Sequence, residues 1–417
     1  MKIDAQLDVD VLAYEHDDKL SVLLELAAPA SATAERAASA IQVVLDRSGS
    51  MAGDRLEGAK QSLLTLVDRL DPRDWFGLVV FDDQAVVVIP TAPLVDKAAA
   101  KRAITSVQSG GSTDLAAGYL RGLQEARRAT AASGTTLLLI SDGHANAGEI
   151  SPQILGGIAA KALESDRTTT STLGYGLGYD ERLLSALARA GAGNEHFAED
   201  PDAAVALIAR EVDGLLSQAT QAMSLIVTMS AHVKSVEIHN DLPVNPVAEG
   251  IQVELGGMYA GETRRLVLTF DIPAIAALGL LEIATLHLSY VELPELRQVD
   301  VSLPLHVNVV PGDQAAGRVR DPEIHAELAY QKAQKTKREA ASRLSEGDVA
   351  GAVNLLASAS SMINSAVGCA PPGMADDLRQ ESDMLQALLA ESRYGDSSRA
   401  AKLTSSDAAL KSRRRGR

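Results

Sequence analysis

The 417-residue sequence predicts an α/β fold: a doubly wound, mostly parallel sheet accompanied by a β-sandwich and a C-terminal helical segment. Three observations carry this reading. Between Ile41 and about Gln218, short apolar runs alternate with amphipathic helical patterns, the rhythm of a parallel sheet covered on both faces. From 222 to 310 the helical period is lost and strand-like segments recur between turn clusters. Beyond Pro311-Gly312-Asp313 the chain turns Ala-rich and helical.

Taken in order, residues 3–13 and 20–26 place apolar side chains at alternate positions, with the polar Glu15–Lys19 between them, which predicts a hairpin of two half-buried strands. Residues 1–40 are therefore expected to contribute to the β-sandwich. Ile41–Leu45, Phe76–Phe81 and Leu137–Ile140 are short apolar runs suited to strands buried on both faces, and Thr168–Tyr175 is a more polar fourth. Helical patterns fall at Arg55–Leu70, Lys97–Val107, Leu115–Ala132, Pro152–Glu164, Glu181–Ala190 and Pro201–Leu216, with Asp180 and Asp200 at expected N-caps. Val86–Thr91 follows its predecessor too closely for a parallel crossover and is expected as an antiparallel edge. The divisions are then 41–218 for the α/β domain, 222–310 for the sandwich, 320–394 for the helical region, and 395–417 for a tail. That tail is low in hydrophobicity, ends in a basic run, and reads as disordered.

Composition narrows the function. Acidic residues outnumber basic ones 55 to 39, a net charge of −16, which disfavours general electrostatic binding of nucleic acid or of an anionic membrane. Aromatics at 3% leave little for stacking on single strands. The single cysteine, Cys369, excludes an intramolecular disulfide and a thiolate zinc centre. No apolar stretch approaches the ~18 residues of a membrane span, and the first residues lack the apolar core of a secretory signal. The expectation is a cytoplasmic protein that inserts in no membrane and binds no nucleic acid.

The chemistry concentrates in three segments. Asp46-Arg47-Ser48-Gly49-Ser50 lies where a buried strand meets a helix. Gly110-Gly111-Ser112-Thr113-Asp114 is a Gly-rich loop before another helix, and Ser141-Asp142-Gly143 directly follows Leu137–Ile140. In an open α/β sheet such positions gather at the carboxyl ends of the strands, where ligands bind. Asp46, Ser48, Ser50, Thr113 and Asp142 are all hard oxygen donors, a set suited to Mg²⁺, Mn²⁺ or Ca²⁺ and not to zinc or copper. His144 and Asn146 would line the rim of that face.

These three segments, in this order and spacing, resemble the von Willebrand factor type A domain with its metal-ion-dependent adhesion site. The resemblance covers about 41–218, and Trp75–Asp82 is similar to the family's second strand. It implies a Rossmann-like domain in which Ser48 and Ser50 ligate the metal, Thr113 ligates directly in a ligand-bound state, and Asp46 and Asp142 act largely through water. Mg²⁺ or Mn²⁺ is the implied cofactor, ahead of Ca²⁺. The function that follows is a protein–protein interaction module whose cation captures an acidic residue of a partner protein. An alternative is an accessory subunit for an ATPase or kinase, docked through the helical region. A metal-assisted hydrolase is disfavoured, since no separate general base or nucleophile set accompanies the motif. No catalytic residue is therefore assigned, and the protein is read as a non-enzyme.

Overall fold

The computed structural model describes residues 1–30, 38–129, 134–143, 145 and 147–413. The chain opens with strands β1 (Lys2–Leu7), β2 (Val11–Ala13) and β3 (Asp18–Ala27). The α/β unit follows as β4 (Ala40–Asp46), α1 (Asp54–Arg69), β5 (Trp75–Phe81), β6 (Ala85–Pro93), α2 (Lys97–Thr105), α3 (Leu115–Ala126), β7 (Thr135–Ser141), α4 (Pro152–Asp166), β8 (Thr168–Tyr175), α5 (Glu181–Ala190), β9 (Ala192–Ala198) and α6 (Pro201–Leu216).

Its sheet runs in the order β6-β5-β4-β7-β8-β9, parallel throughout except for the antiparallel edge strand β6. Successive side chains of a strand point to opposite faces, and here both faces are apolar. Val43, Leu45, Leu138 and Ile140 join a core with α1, α2 and α6, whereas Val44, Leu137 and Leu139 join one with α3, α4 and α5. With both faces covered, only the strand ends remain free for a ligand.

Strand β9 escapes hydropathy because its centre is polar. Asn194, Glu195 and His196 are nevertheless buried. Glu211 of α6 accounts for two of them, accepting from Asn194 Nδ2 at 2.6 Å and lying 3.0 Å from His196 Nε2, while Ser171 of β8 donates to it at 2.8 Å. A buried carboxylate with three polar partners meets the condition for burying charge.

After the α/β unit come β10 (Gln218–Met229), β11 (Ser235–Ile238), β12 (Val244–Val247), β13 (Gly250–Tyr259), β14 (Thr263–Ile272), β15 (Gly279–Glu292) and β16 (Arg297–Val310). They complete two sheets, β1-β3-β14-β11 and β12-β13-β10-β15-β16-β2, packed over one apolar core. Because β3 pairs with β14, Leu24 opposite Leu266, the α/β unit is an insertion between β3 and β10. The alternating run at 3–13 is two strands rather than one. β1 pairs with β3, but β2 crosses to the other sheet and lies parallel to β16. Asp8 sits at the crossing, accepting from Ser21 N–H at 2.9 Å and paired with Arg320.

The helical region comprises a single turn α7 (Gly312–Ala315) and four long helices, α8 (Pro322–Ser345), α9 (Val349–Val367), α10 (Pro372–Tyr394) and α11 (Ser397–Arg413). Helix α11 corrects the reading of 395–417 as a disordered tail over most of that span, residues 414–417 lying outside the described residues. Hydropathy fails there for a physical reason. The residues that α11 buries are small or polar, Ala400, Ala401, Thr404 and Ala408 among them, together with Lys402, whose ammonium bonds Glu181 at 2.8 Å. Lys337 of α8, fully buried, donates to Glu381 of α10 at 2.7 Å and to Asp407 of α11, while Lys411 reaches Glu381 at 2.7 Å. The charges that make this segment look solvated are partnered inside the bundle.

Removing one member of a buried ion pair typically costs about 3–5 kcal/mol, because the other is left uncompensated. Lys337→Ala is expected to destabilise the protein by about 3 kcal/mol, the low end, since Lys411 still faces Glu381. Urea unfolding monitored by circular dichroism reads this directly. A midpoint within error of wild type would mean that the network adds nothing.

Candidate functional site

The site is assembled at the carboxyl edge of the central strands. Asp46 is the last residue of β4, and its neighbours are stitched together by main-chain bonds. Arg47 N–H donates to Phe81 O at 2.8 Å, Gly110 N–H to Arg47 O at 2.7 Å, Gly49 N–H to Gly111 O at 3.0 Å, and Asp114 N–H to Asp82 O at 2.7 Å. Three loops from distant parts of the sequence therefore form one rigid rim.

Within it, the fully buried Asp46 carboxylate accepts from Ser48 N–H at 2.8 Å and from Ser141 Oγ at 2.6 Å. Ser48 Oγ lies 3.0 Å from Ser50 Oγ, which donates to Asp142 Oδ1 at 2.8 Å. Gly143 shows where the donors point. A Cβ placed on it would lie 3.3 Å from Thr113 Oγ1, 3.4 Å from Ser50 Oγ and 3.8 Å from Asp46 Oδ2. A glycine here keeps that space open, and Ser50 links it onward to Ser48 and Asp142.

Burial drives the Asp46 carboxyl above its ordinary range, the Ser141 and Ser48 hydrogen bonds opposing and the neighbouring Asp142 reinforcing the shift. A positive charge placed among these oxygens would reverse the penalty. Among the described residues no group of three or more His, Cys, Asp and Glu side chains is placed to hold a metal. The donor set is thus two carboxylates and three hydroxyls. That fits a hard, partly hydrated cation, and lacks both the imidazole and thiolate of zinc sites and a multi-carboxylate cage.

Several other carboxylates have structural roles. Asp114 caps α3, accepting from Ala117 N–H at 2.9 Å. Asp82 accepts from Gln84 N–H at 3.0 Å and pairs with Arg47 at 2.9 Å; burial pushes its carboxyl up, but those partners outweigh it and the net shift is down. Asp17 accepts from Ala274 N–H, and Asp18 pairs with Arg318 and Arg320, so both are structural. His144 and Asn146 lie outside the described residues. Sequence reasoning missed two participants. Ser141 lies within a recognised segment but had no role until its hydroxyl was seen on Asp46. Arg55, in the first turn of α1, places NH1 2.5 Å from Asp142 Oδ2, and nothing in the spacing of the motif marks it.

The rim tolerates no extra atom at Gly110, where a Cβ would overlap the Asp82 carboxylate. Gly110→Ala must displace Asp82 from Arg47, at a cost of about 1–3 kcal/mol for forced repacking. A fall in the urea midpoint is the expected result, and an unchanged midpoint would show the loop free to yield.

Comparison with known proteins agrees with this fold. The family model described as von Willebrand factor type A domain matches residues 41–210. An uncharacterised protein of Synechocystis sp., sll0103, is 27% identical over 377 residues, covering 86% of this chain and 87% of that protein. Human inter-alpha-trypsin inhibitor heavy chain H4 is 30% identical over 176 residues, 39% of this chain but only 19% of its own length. Among solved structures, the ArnB paralog VWA2 of Sulfolobus acidocaldarius superposes with a TM-score of 0.69 at 14% identity, over 99% of this chain and 98% of that one. The von Willebrand factor type A protein of Catenulispora acidiphila gives 0.71 at 16% identity, over 93% and 89%. These two share the fold across nearly the whole chain, sandwich and helices included. Residues 41–210 are a von Willebrand factor type A domain, carried here as an insertion in a β-sandwich.

Proposed function

We propose that Asp46, Ser48, Ser50, Thr113 and Asp142 hold a divalent cation, Mg²⁺ or Mn²⁺, through which the protein captures an acidic side chain of a partner protein. Domains of this family often mediate protein–protein interactions and bind a divalent metal at the adhesion site. The observation that carries the reading for this chain is the grouping of Thr113 Oγ1, Ser50 Oγ and Asp46 Oδ2 around the space beside Gly143, with Ser48 and Asp142 hydrogen-bonded to Ser50.

The division of labour follows from the hydrogen bonds. Ser48, Ser50 and Thr113 offer neutral oxygens, so they would hold the cation without quenching its charge. Asp46 is fixed by Ser48 N–H and Ser141 O–H, and Asp142 by Ser50 and Arg55, so both carboxylates are oriented before any ligand arrives. Mg²⁺ prefers octahedral oxygen coordination and keeps several waters. When bound, the cation would supply an electrophilic position that a carboxylate oxygen can take in place of water. Among the described residues no helix is long and apolar enough to cross a membrane.

The deciding experiment is isothermal titration of Mg²⁺ and Mn²⁺ into metal-free protein, in parallel with Asp46→Ala. Saturable one-site binding in wild type, reduced by about a hundredfold or more in the variant, is expected from loss of a buried carboxylate at the site. Binding indifferent to the substitution would overturn the assignment. For the partner, binding retained in EDTA would place the contact elsewhere on the molecule.

A further inference from the structure

Arg55 belongs to this site, although no motif includes it. Its NH1 lies 2.5 Å from Asp142 Oδ2, while Ser50 donates to the other oxygen, Oδ1. The Arg55 side chain is 41% exposed, but that of Asp142 is 0% exposed, so this is not an ordinary surface pair. The neighbouring loop is shaped around it. Gly176 adopts φ +69°, and a Cβ there would lie 3.2 Å from Arg55 NH2. Two residues on, Gly178 packs against the Asp142 carbonyl, where a Cβ would sit at 2.9 Å. Arg55 thus lies between the acidic edge and the turn leaving β8, with part of its side chain open to solvent.

We propose that Arg55 is a tethered counter-cation that competes with the metal for Asp142 and thereby sets the cation affinity of the site. A guanidinium stays charged at any accessible pH. It therefore compensates the buried Asp142 carboxylate in the metal-free protein, where an isolated charge would be costly. A divalent cation drawn to the same carboxylate meets a fixed charge of its own sign a few ångströms away. Part of the attraction of Asp142 is already spent on Arg55, so the metal binds more weakly than to the same oxygens without it. This inference rests on the metal-binding reading above and concerns only the residue that tunes it.

The test uses the full chain and Mg²⁺ alone. Arg55→Met, which keeps the stem and removes the charge, should tighten Mg²⁺ about tenfold by titration calorimetry, as expected for deleting one like charge near a partly buried site. Its melting temperature in EDTA should fall, and the rise on adding saturating Mg²⁺ should exceed that of wild type. Arg55→Lys keeps the charge and should stay within about threefold of wild type. A merely structural pair would lower the melting temperature without tightening the metal. Should Arg55→Met not fold in EDTA, Arg55→Gln, purified with Mg²⁺ and titrated with chelator, reads the same change. Mg²⁺ affinity unchanged or weakened in the neutral variants, with wild type binding at one Asp46-dependent site, overturns the proposal. Absence of saturable binding in wild type overturns the metal-site reading first, and this inference with it.

Discussion

The site depends on one buried carboxylate being held from two strands at once. Asp46 ends β4, Ser141 ends β7, and their 2.6 Å hydrogen bond joins the carboxyl termini of the two central strands. Parallel pairing already aligns these strands, Leu45 opposite Ile140, so the two side chains meet without any adjustment by the loops. The loops are then hung from this junction: Ser48 N–H bonds the other Asp46 oxygen, and the turn that carries Ser48 also carries Ser50 into contact with Asp142. Breaking the junction would leave a buried carboxylate short of a partner and the two halves of the rim unregistered. The geometry of this edge is thus a property of the sheet, and its rigidity comes from secondary structure.

A second constraint governs how the inserted domain sits on the rest of the chain. Its link to the sandwich is polar and distributed. Glu195 of β9 receives Ser405 of α11 at 2.7 Å and Arg338 of α8 at 3.4 Å, and Asp241, in the loop before β12, is bound by Arg338, Arg189 and the N–H contact to Ser412. Helix α8 covers the outer face of the smaller sheet through Ile324 and Leu328, against Leu23 and Val267. The helices are therefore a third layer that fastens the α/β unit to the sandwich. This differs from an appendage tethered by a linker.

How much of this was readable beforehand varies with the physics involved. That Asp46, Ser48, Ser50, Thr113 and Asp142 share one edge was legible because each lies in a contiguous motif and the strand rhythm alone places those motifs there. The antiparallel edge β6 was legible from loop length. Strand β9 was not, because its buried residues include the polar Asn194, Glu195 and His196, whose partners Glu211, Arg338 and Ser405 stand on other elements. Helix α11 was hidden for the same reason: Lys402 and Asp407 count as solvated until Glu181 and Lys337 are seen beside them. The single alternating run at 3–13 concealed a change of sheet, since period two reports which face is buried and says nothing of which sheet receives it. Arg55 illustrates the limit most clearly. Its partner follows from the meeting of two loops, a tertiary fact with no local signature.

The same polar logic applies to α6, the element through which the inserted domain re-enters the sandwich. Its apolar stripe, Ala204, Ile208, Val212 and Leu215, packs on the sheet in common with α1. Its polar positions hold it at several further points. Glu199, just before its N-cap Asp200, is bound by Arg399 of α11. Midway, Glu211 ties it to β8 and β9, and Asp213 pairs with Arg69 of α1. At its end, Ser217 O accepts from Ala260 N–H at 2.7 Å, in the turn after β13. An apolar stripe can slide by small steps on a sheet, because dispersion contacts are non-directional. Directional bonds at both ends and at the middle cannot lengthen gradually; they hold or they break. Any displacement of α6 therefore has to exchange the bonds it makes with α11 on one side and with the sandwich on the other.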